Sequence, residues 1–217
     1  MKRAIIFANG RMEKPPEILS ILETSDLLIA ADGGIHNCEA LGIKPDVIIG
    51  DLDSMDPNEV SSYQDVGVEV IRFPSHKDES DLELALIYTL EHGFKEIIII
   101  GGLGERWDMT MINILLLAHP KYSGLNIRLL DGTQELFLIK SGKPVDLPGK
   151  PGDTLSLIPL AGDACGIITH GLEYPLNNET LKFGESRGVS NVFMAASAQI
   201  TFSQGLILCI INRGKYK

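Results

Sequence analysis

Three short runs in the first half of the chain are apolar at nearly every position, and they limit the fold more than any other feature. They are Leu27-Leu28-Ile29-Ala30-Ala31, Val47-Ile48-Ile49 and Glu96 to Ile100. A strand with one wet face alternates apolar and polar residues, whereas a strand covered on both faces does not. The runs therefore predict a parallel sheet flanked by helices. Residues 3–8 supply a first strand, ending at the turn signal Asn9-Gly10, and Val68-Glu69-Val70-Ile71 supplies a fourth. Helices are expected between them: one opened by Pro15-Pro16, others over 35–41, from Asp56-Pro57 to about Gln64, and over 82–92.

From about residue 125 the pattern changes to short alternating runs. Strands are expected over Asn126 to Leu130, Gln134 to Ile139, Thr154 to Pro159, Ala164 to Thr169, Leu172 to Leu176, Gln199 to Phe202 and Leu206 to Ile211. Turn signals such as Pro148-Gly149 and Asn177-Asn178 separate them. The expected architecture is an α/β N-terminal domain over 1–124, with a mostly parallel, Rossmann-like sheet, followed by an all-β sandwich over 125–217. Asn126 to Leu130 could instead close the first sheet.

A net charge of −10 speaks against a broad nucleic-acid or membrane surface, since both polyanions are held by an excess of Lys and Arg. No span approaches the ~20 apolar residues of a membrane helix, and the first apolar run is too short for a signal peptide. Cys38, Cys165 and Cys209 are far apart, odd in number and without CxxC spacing, so they read as reduced. A cytoplasmic location is the expectation that follows.

Small and acidic residues recur where the strands end. The second strand runs into Asp32-Gly33-Gly34 and the third into Gly50-Asp51-Leu52-Asp53-Ser54. Strand alternation would point Asp51 and Asp53 to one side, where two like charges suit a hard cation such as Mg²⁺ between them. Turn formation is the other reading of the same pair. The fourth strand delivers Lys77-Asp78-Glu79-Ser80-Asp81 at a helix start. Asp78 and Asp81 could be capping residues there, but a lysine near a helix N-terminus is mildly unfavourable and better explained by a phosphate. The fifth strand runs into Gly101-Gly102-Leu103-Gly104-Glu105-Arg106-Trp107-Asp108, a glycine-rich loop able to cradle phosphate with help from Arg106. Neither a P-loop nor GxGxxG is present. In the second half, Gly184 to Asn191 carries serines, Asn191 and Arg187, which suits either a small ligand or a plain hairpin connection.

Taken in order, Ala31-Asp32-Gly33-Gly34, Gly50-Asp51-Leu52-Asp53-Ser54, Lys77-Asp78-Glu79-Ser80-Asp81, Gly101 to Asp108 and Arg187-Gly188-Val189-Ser190-Asn191 resemble the thiamine pyrophosphokinase family over nearly the whole chain. The resemblance implies pyrophosphoryl transfer from ATP to the hydroxyl of thiamine with release of AMP. It also implies a homodimer with active sites between subunits. Carried over, Asp51, Asp53 and Asp81 look like the Mg²⁺ cluster, with Asp78 close by. Asp32, Gly33, Gly34, Lys77, Gly102, Arg106 and Asp108 would serve ATP and its phosphates, with Asp32 and Asp108 lining the nucleotide and thiamine cleft. Ser190 and Asn191 would face thiamine. One departure is Met109, where the family usually has His or Gln, because methionine donates no hydrogen bond.

On this reading an alcohol attacks the β-phosphorus in line, and Asp78 or Asp81 takes its proton. Asp81 should then come within metal-sharing distance of Asp51 and Asp53. Two other functions fit the residues: a pyrophosphokinase for a different alcohol such as a hydroxymethylpterin, and a thiamine- or nucleotide-binding regulator without turnover.

Overall fold

The apolar runs of the first half become neighbouring parallel strands. The computed structural model describes residues 2–12, 18–53, 55–104 and 106–214. The helix start expected at Pro15-Pro16, and the residues Ser54 and Glu105, lie outside the described residues. The strands are β1 (Arg3–Phe7), β2 (Leu27–Ala31), β3 (Val47–Gly50), β4 (Glu69–Arg72), β5 (Glu96–Ile100) and β6 (Asn126–Asp131). They pair in parallel in the order β6-β5-β1-β2-β3-β4. At the centre Ile5, Ile6, Phe7, Ile29, Ile48 and Ile99 have no exposed surface. Each such side chain contributes roughly 1.5–3 kcal/mol on burial.

Among the described residues, four α-helices connect these strands: α1 (Ile35–Ala40), α2 (Pro57–Asp65), α3 (Asp81–Glu91) and α4 (Trp107–Leu116). Proline opens α2, where the Asp56 side chain accepts from Asn58 N. At α3 the cap is Ser80, whose hydroxyl accepts from Glu83 N at 3.2 Å. Asp81 is therefore left free of the capping role. At the sheet's start Asp26, with a fully buried side chain, accepts two hydrogen bonds from Arg3 at 2.7 Å and one from Glu23 N at 2.8 Å.

The chain divides into compact units at Gly132/Thr133. Because β6 pairs with β5, residues 126–131 belong to the first unit, one strand later than a boundary at 124/125. The second unit contains β7 (Gln134–Lys140), β8 (Val145–Pro148), β9 (Thr154–Pro159), β10 (Ala164–His170), β11 (Asn177–Leu181), β12 (Asn191–Val192), β13 (Ser197–Thr201) and β14 (Leu206–Asn212). Within it β14 pairs antiparallel with β7 and β9, and β12 extends β9. A separate four-stranded antiparallel sheet runs β11-β10-β13-β8. One apolar cluster draws on strands of both sheets, with Phe137, Leu157, Ile207, Ile167, Leu181 and Ile200 among its members.

One strand expectation is corrected here, and one strand was not expected. Leu172 to Leu176 makes only an isolated bridge, from Leu172 to Phe193, and the strand comes next, at Asn177–Leu181. That polar Asn-Asn-Glu-Thr segment pairs on one side only, as an edge strand whose face is wet, so it lacks an apolar pattern. Val145–Pro148 is a strand as well, ending in a proline that an edge position tolerates. No helix among the described residues is long and apolar enough to cross a membrane.

Candidate active site

Strand order reverses at β1, with β2 to β4 on one side and β5 and β6 on the other. Loops leaving the carboxyl ends of strands diverge at such a reversal and open a crevice. The crevice here has a volume of about 450 Å³. Its walls are Ala8-Asn9-Gly10 after β1, Asp32 after β2, Ser80-Asp81-Leu82 at the start of α3, and Gly101 to Gly104 after β5. Arg106, Met109 and Asn113 complete it, so the residue that departs from the family pattern faces the ligand space.

The loops meet where side chains are missing. A Cβ on Gly10 would overlap Gly101 O, and one on Gly34 would overlap Phe7 O. Gly33 is likewise pressed against the Asn9 side chain. Gly33 and Gly34 are buried and outside the crevice lining, so their lack of Cβ serves the packing of backbone on backbone. Three side chains that the sequence reading passed over fix these loops. Asn37 Nδ2 in α1 donates to Ala8 O at 2.7 Å and Gly10 O at 2.9 Å. Asn113 Nδ2 donates to Gly102 O at 2.7 Å, and Thr110 Oγ1 bonds both N and O of Gly104 at 3.1 Å. The available signal was polarity in an apolar context, as for Asn113 between Ile112 and Ile114.

Asp51 and Asp53 come together by a different route from strand alternation. β3 stops at Gly50, and Leu52 turns the chain in the left-handed region, with φ 58°. Its side chain is buried in the cluster that holds Met55 and Val60, while Asp53 N donates to Asp51 Oδ1 at 3.3 Å. A buried leucine thus anchors a turn whose two flanking carboxylates face outward together.

The third carboxylate of the group is Asp32. Oxygens of Asp32, Asp51 and Asp53 all lie within 4.8 Å of one another. Gly50 permits this, because a Cβ there would stand 2.9 Å from Asp32 Cβ. Burial, and then the charges of Asp81, Asp51 and Asp53, push the Asp32 carboxyl above the ordinary carboxylate range despite the hydrogen bond from Gly33 N. Asp32 Oδ1 is buried without a hydrogen-bond partner among the described residues. An orphaned carboxylate oxygen in an all-oxygen group fits a hard divalent cation such as Mg²⁺ or Mn²⁺. Asp81, expected as the third member, falls outside this group. Lys77 stands between, its Nζ 2.8 Å from Asp81 Oδ1 and 3.8 Å from Asp51 Oδ2. Asp78 is exposed, and no bond joins it to the cluster among the described residues.

At the rim, Arg106 pairs with Asp108, Nη2 to Oδ2 at 2.5 Å, and both are exposed. The guanidinium holds the Asp108 carboxyl below its usual range. In the second unit Ser190 has φ 60° and its amide donates to Ser156 Oγ at 3.0 Å. Asn191 donates to Tyr174 O at 2.7 Å and accepts from Tyr174 N at 3.0 Å and Val192 N at 2.9 Å. Its amide is engaged with backbone, which makes Asn191 the fastener of Tyr174. A recess of about 240 Å³ beside it is lined by Leu157, Tyr174, Leu176, Arg187 and Val189 among others.

Known proteins match this arrangement end to end. Residues 18–129 match the family model "Thiamin pyrophosphokinase, catalytic domain", and residues 144–207 match "Thiamin pyrophosphokinase, vitamin B1 binding domain". A thiamine pyrophosphokinase of Bacillus subtilis is 28% identical over 97% of this chain and 98% of its own length. Thiamine pyrophosphokinase 1 of rice, Oryza sativa, is 26% identical over 97% of this chain and 87% of its own. A crystal structure of thiamine pyrophosphokinase from B. subtilis superposes with a TM-score of 0.87 at 27% identity, covering 98% of this chain and 100% of that one. With both family models matched in order and both units accounted for, the chain belongs to the thiamine pyrophosphokinase family.

Proposed function

We infer that this protein transfers a pyrophosphoryl group from ATP to the hydroxyl of thiamine, giving thiamine diphosphate and AMP. The observation that carries the reading is the Asp32-Asp51-Asp53 group, flanked by Lys77 and joined through Asp32 to a switch-point crevice, in a chain with both family models. A pterin pyrophosphokinase is not favoured, since residues 144–207 match a vitamin B1-binding model. A silent binder is disfavoured by so many carboxylates gathered at one sheet edge.

The finer roles are proposals. Asp32, Asp51 and Asp53 would hold Mg²⁺, which would offset the charge of the phosphate oxygens. Lys77 and Arg106 would contact the triphosphate as point charge and planar fork respectively. Gly102, Asp108 and the backbone around Asp32 would complete the ATP site. Asp81 lines the crevice and Asp78 does not, so Asp81 is the better placed to accept the hydroxyl proton. Ser190 would face thiamine, with Asn191 setting the wall behind it. The shared cluster of the two antiparallel sheets supports a sandwich, and the strand reversal supports a Rossmann-like sheet. A homodimer would cover the exposed apolar side chains of Trp107, Met111, Ile112 and Leu115 on α4. The thiols of Cys38, Cys165 and Cys209 suit a reducing cytoplasm.

Incubation with ATP, Mg²⁺ and a panel of alcohols, monitored for AMP, tests the activity. Thiamine-dependent AMP with thiamine diphosphate as product is expected; AMP with a pterin alone, or no AMP with any alcohol in the panel, would overturn it.

A further inference from the structure

The carboxylates suited to a divalent cation already have a cation beside them. Lys77 Nζ reaches Asp81 at 2.8 Å and Asp51 at 3.8 Å, and its side chain is only 12% exposed. The local helix does not call for it, since Ser80 caps α3 and an ammonium near a helix N-terminus is unfavourable. Its position is explained by the acids it faces.

We propose that Lys77 is an internal counter-ion that competes with the divalent cation at Asp51 while the crevice is free of nucleotide, and whose ammonium moves to phosphate oxygens when nucleotide binds. The proposal rests on the pyrophosphokinase reading and concerns the regulation of that site. Free metal would be held weakly, and would be retained once nucleotide had drawn the lysine away.

Charge and reach both support this. Asp51 turns Oδ2 to Lys77 and Oδ1 to the amide of Asp53, so both of its oxygens are engaged without metal. A second cation on the same carboxylate meets repulsion that water screens poorly at these part-buried side chains. A lysine stem is flexible enough to shift its ammonium without moving backbone, and phosphate offers a charge-assisted partner in exchange. The transfer would also leave the Asp81 carboxylate, at the crevice wall, unpaired and able to accept a proton.

The test uses Mn²⁺ alone, with no nucleotide, titrated into the full chain and followed by electron paramagnetic resonance. Lys77→Met should bind Mn²⁺ about tenfold or more tightly than wild type, because a competing charge is gone. Lys77→Arg, which keeps the charge, should stay within about threefold of wild type. Lys77→Gln serves as a second neutral variant should the methionine variant fail to fold. Unchanged or weaker Mn²⁺ binding by the neutral variants, or equal tightening by Lys77→Arg, would overturn the proposal. Failure of the pyrophosphokinase reading would show separately, as absence of AMP from wild type with ATP and thiamine.

Discussion

Gly50 and Asp32 approach so closely that a Cβ on the glycine would stand 2.9 Å from Asp32 Cβ. The end of β3 thus decides where the carboxylate after β2 can sit. Gly50→Ala should push Asp32 out of the group at a cost of about 1–3 kcal/mol in stability, the range for overpacking a tight site. Mn²⁺ affinity and turnover should fall together, and thermal unfolding gives the stability change. An alanine variant with wild-type metal affinity would place Asp32 outside the site.

Asp32→Asn should be as damaging as Asp51→Asn or Asp53→Asn. Each is expected to lower turnover at least ~100-fold, as when charge stabilisation of a transition state is removed. Steady-state kinetics on the three variants checks this. A mild Asp32 variant beside two severe ones would return the third ligand position to Asp81.

Leu52 couples stability to function. Truncation to alanine should cost about 2–4 kcal/mol through the lost apolar contacts, and it also frees the turn that aims Asp51 and Asp53. Denaturant unfolding and kinetics should therefore both change. Loss of stability with full activity at low temperature would show that the turn holds itself.

The Arg3–Asp26 pair makes a prediction about pH. Burial raises the Asp26 carboxyl, but the hydrogen bonds from Arg3 and Glu23 N outweigh it and leave the group below the ordinary range. A depressed folded value means that the pair's stabilisation is complete above the unfolded carboxylate pKa of ~3.9 and is lost as pH falls through the folded value. Asp26→Asn should cost about 2 kcal/mol at pH 7, within the range for charged hydrogen bonds. The gap from wild type should close in acid. A gap independent of pH would assign the loss to packing.

Much of the first unit was legible because its strands are covered on both faces, so Leu27 to Ala31 and Glu96 to Ile100 could hardly be anything else. The second unit was harder at its edges, where Asn177–Leu181 is half wet and carries no periodic apolar signal. At the site, sequence order located Asp51 and Asp53 but misjudged their geometry, because a left-handed Leu52 is invisible to strand alternation. The sequence pattern points Asp32 and Lys77 only towards ATP, and folding brings one beside Asp51 and the other between Asp51 and Asp81. Asn37 was overlooked for a related reason: its partners are carbonyls of Ala8 and Gly10, 29 and 27 residues away.

The seam in which Gly10 meets Gly101, Gly34 meets Phe7 and Asn37 ties Ala8 to Gly10 bears on how the protein can change. No side chain can be added at one of these glycines without displacing the backbone it faces, so the seam beneath the crevice resists substitution at each position. A library randomised at Gly10, Gly34 and Gly101 should return glycine at all three positions. Arg106 and Met109, on the crevice wall outside that seam, carry no such restriction, and altered substrate preference would arise there first.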